Sequence, residues 1–233
     1  IRLFDFNYNT YYNGTVLDDK KICSTIGRYS LKSNKLIDTI IPFKSTFYDH
    51  YQTEKNWSFV TQDNKLKIIH KWYPLTLCVP NFINHTLDLE EYRYNMPEYF
   101  KEARGSSPGI RHPVNKEIWF LLHKVQSTRD HNFYSPPTKY NYQHFFAIFD
   151  LELNLLRYSE LFKFENAKVE YAVSLILEKN KVIIGYSTLD NYSKIGVYSY
   201  DSIKKIYWYN TQKKVITQSD TDLENTSRVK FYL

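Results

Sequence analysis

Cysteine is scarce in this chain: Cys23 and Cys78 are the only two among 233 residues. Two thiols cannot build a disulfide scaffold or a cysteine-rich zinc site, so the fold must rest on a hydrophobic core, with both thiols reduced and buried. Glycine numbers six and methionine one, which argues against long low-complexity linkers. No apolar run approaches the roughly 20 residues needed to cross a bilayer as a helix. No membrane span is expected, and the residues from Ile1 onward carry no signal-peptide pattern. Charge of one sign is only moderately in excess, 31 Lys and Arg against 25 Asp and Glu, a net of +6. The basic residues are scattered, without an apparent nucleic-acid stripe, so the excess serves solubility or a local anion site.

Aromatic residues are abundant: 22 Tyr, 15 Phe and 4 Trp make up 18% of the chain and favour strands over helices. The stretch "TEKNWSFVTQDNKLKIIHKWYPL", Thr53 to Leu75, reads as two strands joined by a turn at Asp63-Asn64. Charges sit at the start of its first strand, Glu54 and Lys55, and at the end of its second, His70 and Lys71. The pattern recurs. Asn9, Asn64, Asn115 and Asn180 each mark a turn followed by a short apolar strand, at spacings of 55, 51 and 65 residues. That pitch suits four-stranded propeller blades of about 40–50 residues with loop insertions. One helical insertion is expected, at Leu87–Ala103, interrupted by Pro97.

A charged residue precedes three of these turns at matched distance: Glu54 by ten residues, Arg104 by eleven and Glu170 by ten. In a propeller the first strand of each blade lines the axis, so these positions converge on one mouth. Counting back from Asn9 runs off the start of the chain. The second strands return polar groups to the same end: Asn13, His70 with Lys71, His123 with Lys124, and Ser187 leading to Asp190. "YNYQHFFAIFD" adds Tyr142 and His144 at the head of another strand. Together Lys55, His70, Lys71, Arg104, His123, Lys124 and His144 predict a basic funnel around Glu54 and Glu170. Such a funnel suits a phosphate-bearing sugar better than a neutral glycan.

The strings "IRLFDFN", "EKNWSFV", "RGSSPGI", "YQHFFAIFD" and "VEYAVSLI", in this order, resemble a group of five-bladed β-propeller proteins found with glycan-building genes. That group is related in fold to the mannoside phosphorylases and to propeller glycosidases such as the arabinanases. The resemblance runs from Ile1 to about Asp190 and implies an all-β, five-bladed β-propeller forming one domain over residues 1–233. In that family the first motif reads Glu-Asp-Pro-Arg-Leu and its Asp does acid/base work in the phosphorylases; here Ile1 stands where the Pro falls. The resemblance thus puts the Glu and Asp ahead of Ile1, in a first blade expected to be incomplete.

Three functions stay open. The first is glycosyl transfer from a sugar phosphate or nucleotide sugar to a glycan acceptor. In it Lys55, Lys71, Arg104, His123 and Lys124 hold phosphate, and Glu54, Glu170 or Asp190 supplies acid/base groups. Trp57, Trp72 and Tyr142 then offer faces to a sugar ring. The second is hydrolysis or phosphorolysis of a glycoside in the same funnel, which requires carboxylates flanking the bond. The third is glycan binding or scaffolding without catalysis. No Asp-x-Asp metal signature occurs, so neither metal nor cofactor is expected. The Asn-, Lys-, Ile- and Tyr-rich composition matches an AT-rich genome. A cytoplasmic location follows as the expectation, in an AT-rich microbe or a virus-infected cell.

Overall fold

A computed structural model describes residues 2–18, 21–37, 41–42, 44–45, 55–128 and 139–211. These residues fold into four sheets, antiparallel but for one short edge strand, arranged as propeller blades. Blade I contains β1 (Arg2–Phe6), β2 (Asn9–Asp18), β3 (Lys21–Ser30), and the short β4 (Lys35–Leu36) and β5 (Ile41–Pro42), both of which pair with β3. Blade II takes β6 (Lys44–Ser45) as its outermost strand. It then runs outward through β7 (Ser58–Gln62), β8 (Lys65–Trp72), β9 (Leu75–Asn81) and β10 (Thr86–Arg93), with β6 parallel to β10. In blade III the inner strand is split into β11 (Arg104–Gly105) and β12 (Ile110–Arg111), followed by β13 (Ile118–Thr128), β14 (Lys139–Phe149) and β15 (Leu155–Ser159). Blade IV consists of β16 (Glu170–Leu177), β17 (Lys181–Thr188) and β18 (Tyr192–Ser199). The chain then turns through α1 (Tyr200–Lys204), capped by the Ser199 side chain, and returns β19 (Trp208–Asn210) to the edge of blade III beside β15.

Asn64, Asn115 and Asn180 sit in turns that join an inner strand to its second strand, as the repeat predicted, whereas the first such turn is Asn7–Tyr8 and Asn9 opens β2. Left-handed backbone at Asn7 and Tyr8, and at Asp63 and Asn64, makes the first two into tight hairpins. Four such turns give four blades among the described residues, one fewer than the five expected, because no further inner hairpin is encoded between them. The expected helix over Leu87–Ala103 is also corrected. Its first half is β10, held by a seven-position ladder to β9 and burying Leu87, and only Glu98–Phe100 after Pro97 forms a 3-10 turn. Pairing with an already formed sheet outweighs the weak helical preference of a Pro-interrupted run. Among the described residues no helix is long and apolar enough to cross a membrane. Cys23 is half-buried and Cys78 buried, and neither forms a disulfide.

Blade stacking explains the unbroken apolar runs "IWFLL" and "FFAIF". Along β13, Ile118, Phe120 and Leu122 face blade II, whereas Trp119 and Leu121 face blade IV; β14 divides likewise between Phe145, Ala147 and Phe149 and Phe146 and Ile148. A sheet covered on both faces needs no polar alternation. Three clusters fill the junctions I/II, II/III and III/IV. The II/III junction turns on Phe120, fully buried and edge-on to Trp72 at 5.2 Å and to Phe149 at 5.5 Å. Replacing Phe120 with Ala should therefore cost about 3–5 kcal/mol. Urea unfolding should show a lowered midpoint with an essentially unchanged slope; a loss below about 1 kcal/mol would mean the junction collapses around the gap.

Candidate functional site

Inner strands begin, and second strands end, at the same face of the ring. Side chains from all four blades therefore meet there around a cavity of about 330 Å³. Blade I contributes Arg2 from β1 and Asn13, Gly14 and Thr15 from β2; blade II contributes Lys55 and Asn56 just ahead of β7. Blade III supplies Arg104, His123 and Tyr142, and blade IV supplies Tyr171, Val173 and Asp190. Three cations thus face a single carboxylate among the described lining residues.

Arg2 is the hub. Its guanidinium donates to the Trp57 carbonyl (3.2 Å), Asn56 Oδ1 (3.2 Å), the Gly105 carbonyl (3.1 Å) and the Tyr171 hydroxyl. Tyr171 in turn donates to Asn56 Oδ1 at 2.8 Å. One side chain from blade I is therefore bonded to blades II, III and IV. Asn56 holds its place through a left-handed backbone, φ 63°. Gly105 is required by closeness: a Cβ there would lie 2.6 Å from the Asn56 carbonyl oxygen and 2.1 Å from Ser58 Oγ.

His123 and His144 face each other across β13 and β14, with ring centroids 6.3 Å apart. His123 is 1% exposed, and its Nδ1 lies 2.8 Å from Ser106 Oγ. Burial, helped by His144 and the nearby Arg2, Arg104 and Lys55 charges, holds its pKa well below the ordinary histidine value. Below it, His144 is fully buried; its Nε2 accepts the Ala172 amide at 3.3 Å, and burial, with Lys163 nearby, pushes its pKa down to about 3. Both rings are neutral at physiological pH, one a wall of the cavity and the other its support.

Of the residues expected at the mouth, Lys55, Arg104, His123, Tyr142 and Asp190 are brought together. Glu54 lies outside the described residues. Glu170 is fully buried and faces the core, one position out of register with the cavity. Its carboxylate accepts the amides of Phe164 (2.7 Å), Glu165 (3.1 Å) and Ala167 (2.6 Å), a structural task in place of the catalytic one expected. Trp57 is 1% exposed within the I/II cluster, so its ring is unavailable to a sugar. His70 lies beside it, ring centroids 5.9 Å apart, and neither it nor the exposed Lys71 lines the cavity. Lys124 follows His123 on the strand and so points to the opposite face, its Nζ 4.2 Å from the centroid of Tyr99. His144 sits beneath the cavity and does not line it. Among the described residues no group of three or more His, Cys, Asp or Glu is placed to hold a metal.

Arg2, Asn56 and Tyr171 were not anticipated. Arg2 was visible in principle, since it opens an inner strand as Arg104 does. Tyr171 required knowing which of two adjacent residues faces the axis.

No protein-family model matches the chain, and no curated protein sequence matches it. Solved structures match its fold. A candidate glycoside hydrolase from Bacteroides ovatus ATCC 8483, known at 1.85 Å, superposes with a TM-score of 0.54 at 13% identity, covering 88% of this chain and 69% of its own. A glycosyl hydrolase from Bacteroides ovatus, known at 2.30 Å, gives a TM-score of 0.58 at 11% identity, covering 85% of this chain and 64% of its own. The chain thus spans about two thirds of each of these proteins and shares with them an all-β propeller arrangement.

Two outcomes follow from the buried groups. Glu170→Ala leaves three amides without their acceptor and should cost about 2–4 kcal/mol, while Glu170→Gln, which keeps one carbonyl oxygen, should cost less. A fall in urea midpoint below that of Gln would register it; near-neutral stability of the Ala variant would overturn the structural role. The histidines act through pH. Unfolded, each protonates near pH 6.5, whereas folded they stay neutral, so below pH 6.5 the unfolded state binds more protons. Stability should therefore fall as pH drops from about 6.5 towards 4, by up to about 1.4 kcal/mol per pH unit for each ring. His144→Gln preserves an acceptor for Ala172 and removes one titration, so its stability curve should be flatter between about pH 4 and 6.

Proposed function

We propose that the axial cavity takes the phosphate of a sugar phosphate, and that the protein transfers a glycosyl group between that phosphate and a hydroxyl acceptor. The observation that carries this reading is the lining itself: Arg2, Lys55 and Arg104 against Asp190 as the one carboxylate among the described lining residues. Hydrolysis with two carboxylates needs one group to deliver a proton and another to attack or to activate water. When phosphate is the second reactant, its oxygen takes the place of the attacking group and one carboxylate suffices for the proton.

In the transfer direction, the bond between the anomeric carbon and the phosphate oxygen breaks and the electron pair leaves with phosphate. Lys55 and Arg104 stabilise that charge, with Arg2 behind them. The acceptor hydroxyl oxygen bonds to the anomeric carbon and gives its proton to Asp190. Read backwards, the same steps are phosphorolysis: Asp190 donates the proton and phosphate attacks. Transfer from a sugar phosphate and phosphorolysis of a glycoside are one reaction approached from two sides. Neither metal nor organic cofactor enters it, and its partners are a phosphorylated donor and a glycan acceptor. A nucleotide sugar presents its phosphate to the same cations.

A second reading, glycoside hydrolysis, is favoured by the names of the structures that share the fold. It needs a second carboxylate at the mouth, and Glu54, next in sequence to Lys55, is the candidate.

Calorimetric titration with inorganic phosphate, sugar 1-phosphates and nucleotide sugars separates these readings. Arg104→Ala should weaken phosphate-bearing ligands about 10- to 100-fold, the range for losing one charge-assisted contact. Asp190→Asn should retain binding and lose turnover. Absence of binding by every phosphate ligand would reject phosphate chemistry, and glycan cleavage sensitive to Glu54→Gln would install hydrolysis in its place.

A further inference from the structure

His123 forms one wall of the cavity, and the residue behind it has a simpler side chain and a more restricted choice. Ser106 is 0% exposed. Its backbone amide donates to the Leu121 carbonyl at 3.1 Å, and its hydroxyl meets one group only among the described residues, His123 Nδ1 at 2.8 Å. The loop between β11 and β12 fixes it there. Ser107 and Ser106 both donate their amides to the Leu121 carbonyl, and Ser107 Oγ accepts the Leu121 amide at 2.9 Å. The split of the inner strand therefore replaces two ladder bonds with serine contacts and turns the Ser106 side chain beneath the histidine.

Two arrangements of the proton are conceivable for a neutral ring. If Nδ1–H donates to Ser106 Oγ, the serine proton is left buried with no acceptor, and an unmade buried donor is costly. If Ser106 Oγ–H donates to Nδ1, every buried polar hydrogen of the pair is used, and the ring proton must sit on Nε2. The third possibility, a charged ring, places a cation in a dry site already bounded by Arg2, Lys55 and Arg104. Nε2 is the ring's remaining polar atom, and His123 lines the cavity.

We infer that Ser106 is a positioning residue that fixes His123 as its Nε2–H tautomer, making the ring a permanent, uncharged hydrogen-bond donor to an oxygen atom in the cavity. The tautomer stands on the geometry alone; only the final clause rests on the ligand reading proposed above. The consequence for specificity is plain. With Lys55 and Arg104 at the mouth, His123 adds a donor and offers no lone pair, so the wall accepts phosphate, carboxylate or hydroxyl oxygens and discriminates against ligand N–H and ammonium groups. It also removes His123 from any role as a proton acceptor at that nitrogen, which leaves proton transfer to Asp190.

The test uses the full chain labelled with 15N in its histidine rings. Two- and three-bond 1H–15N correlations at pH 7 report which nitrogen of each ring carries the proton. His123, assigned by comparison with His123→Gln, should show a protonated Nε2 and an unprotonated Nδ1. Ser106→Ala should give mixed tautomers, and Ser106→Thr, which keeps the hydroxyl, should restore the single pattern. A protonated Nδ1 or a charged ring in the parent protein would overturn the inference, whatever the variants do. In a parallel titration with inorganic phosphate, Ser106→Ala should bind about tenfold more weakly than the parent, with Ser106→Thr recovering most of the loss. Unchanged affinity in Ser106→Ala would overturn the donor role while leaving the tautomer decided by the spectrum. A parent protein that keeps the Nε2–H pattern yet binds no phosphate supports the tautomer and rejects the phosphate reading instead.

Discussion

A single guanidinium joins the four blades. Arg2 enters from the first inner strand and donates to groups on each of the other three. Arginine suits this place because its planar fork carries several donors in fixed directions and its charge is never lost. The backbone carbonyls and the tyrosine and asparagine oxygens around it are all acceptors, so the hub is saturated mostly by the protein itself. Among the described residues, the head groups of the other two cations of the cavity, Lys55 and Arg104, make no such set of hydrogen bonds. The geometry divides them: one cation ties the blades together and two line the cavity.

That arrangement shapes the chemistry. The positive field of the three cations is set against one carboxylate, and both histidines are neutral because burial disfavours a further charge, helped at His123 by His144 and those same cations and at His144 by Lys163. That carboxylate, Asp190, sits in a left-handed turn, φ 53°, between β17 and β18.

Much of this was legible in the amino-acid order because two periodicities reinforced one another. The spacing of asparagine turns gave the blades, and counting back from each turn found the mouth, which is how Arg104 and the Lys55 neighbourhood were identified. Counting forward found Asn13, His123 and Asp190. What could not be counted was parity. An inner strand of a propeller is buried on both faces, so hydrophobicity does not reveal which neighbour points to the axis, and Glu170 was read where Tyr171 stands. The same ambiguity placed Lys124 with His123, although consecutive strand residues face opposite ways. Trp57 misled for a different reason: an aromatic beside a charged pair suits a sugar platform, but here the ring fills the I/II junction. The helix expected at Leu87–Ala103 failed because a strand edge was waiting for its first half, and the blade count fell to four because only four inner hairpins are present among the described residues.

The return of β19 to blade III has a consequence for how the molecule is assembled. Blade III is laid down before blade IV, yet its outermost strand, Trp208–Asn210, comes from the far side of blade IV in the chain and pairs with Leu155–Ser159. A ribosome therefore releases blade III with one edge unpaired, and that edge is sealed only after all of blade IV and α1 have emerged. Closing this long loop carries an entropic cost that is recovered only when both sheets are in place. Blades III and IV consequently mature as a pair, and an interruption of synthesis inside blade IV leaves an open strand edge on blade III, whose outermost strand has not yet been made.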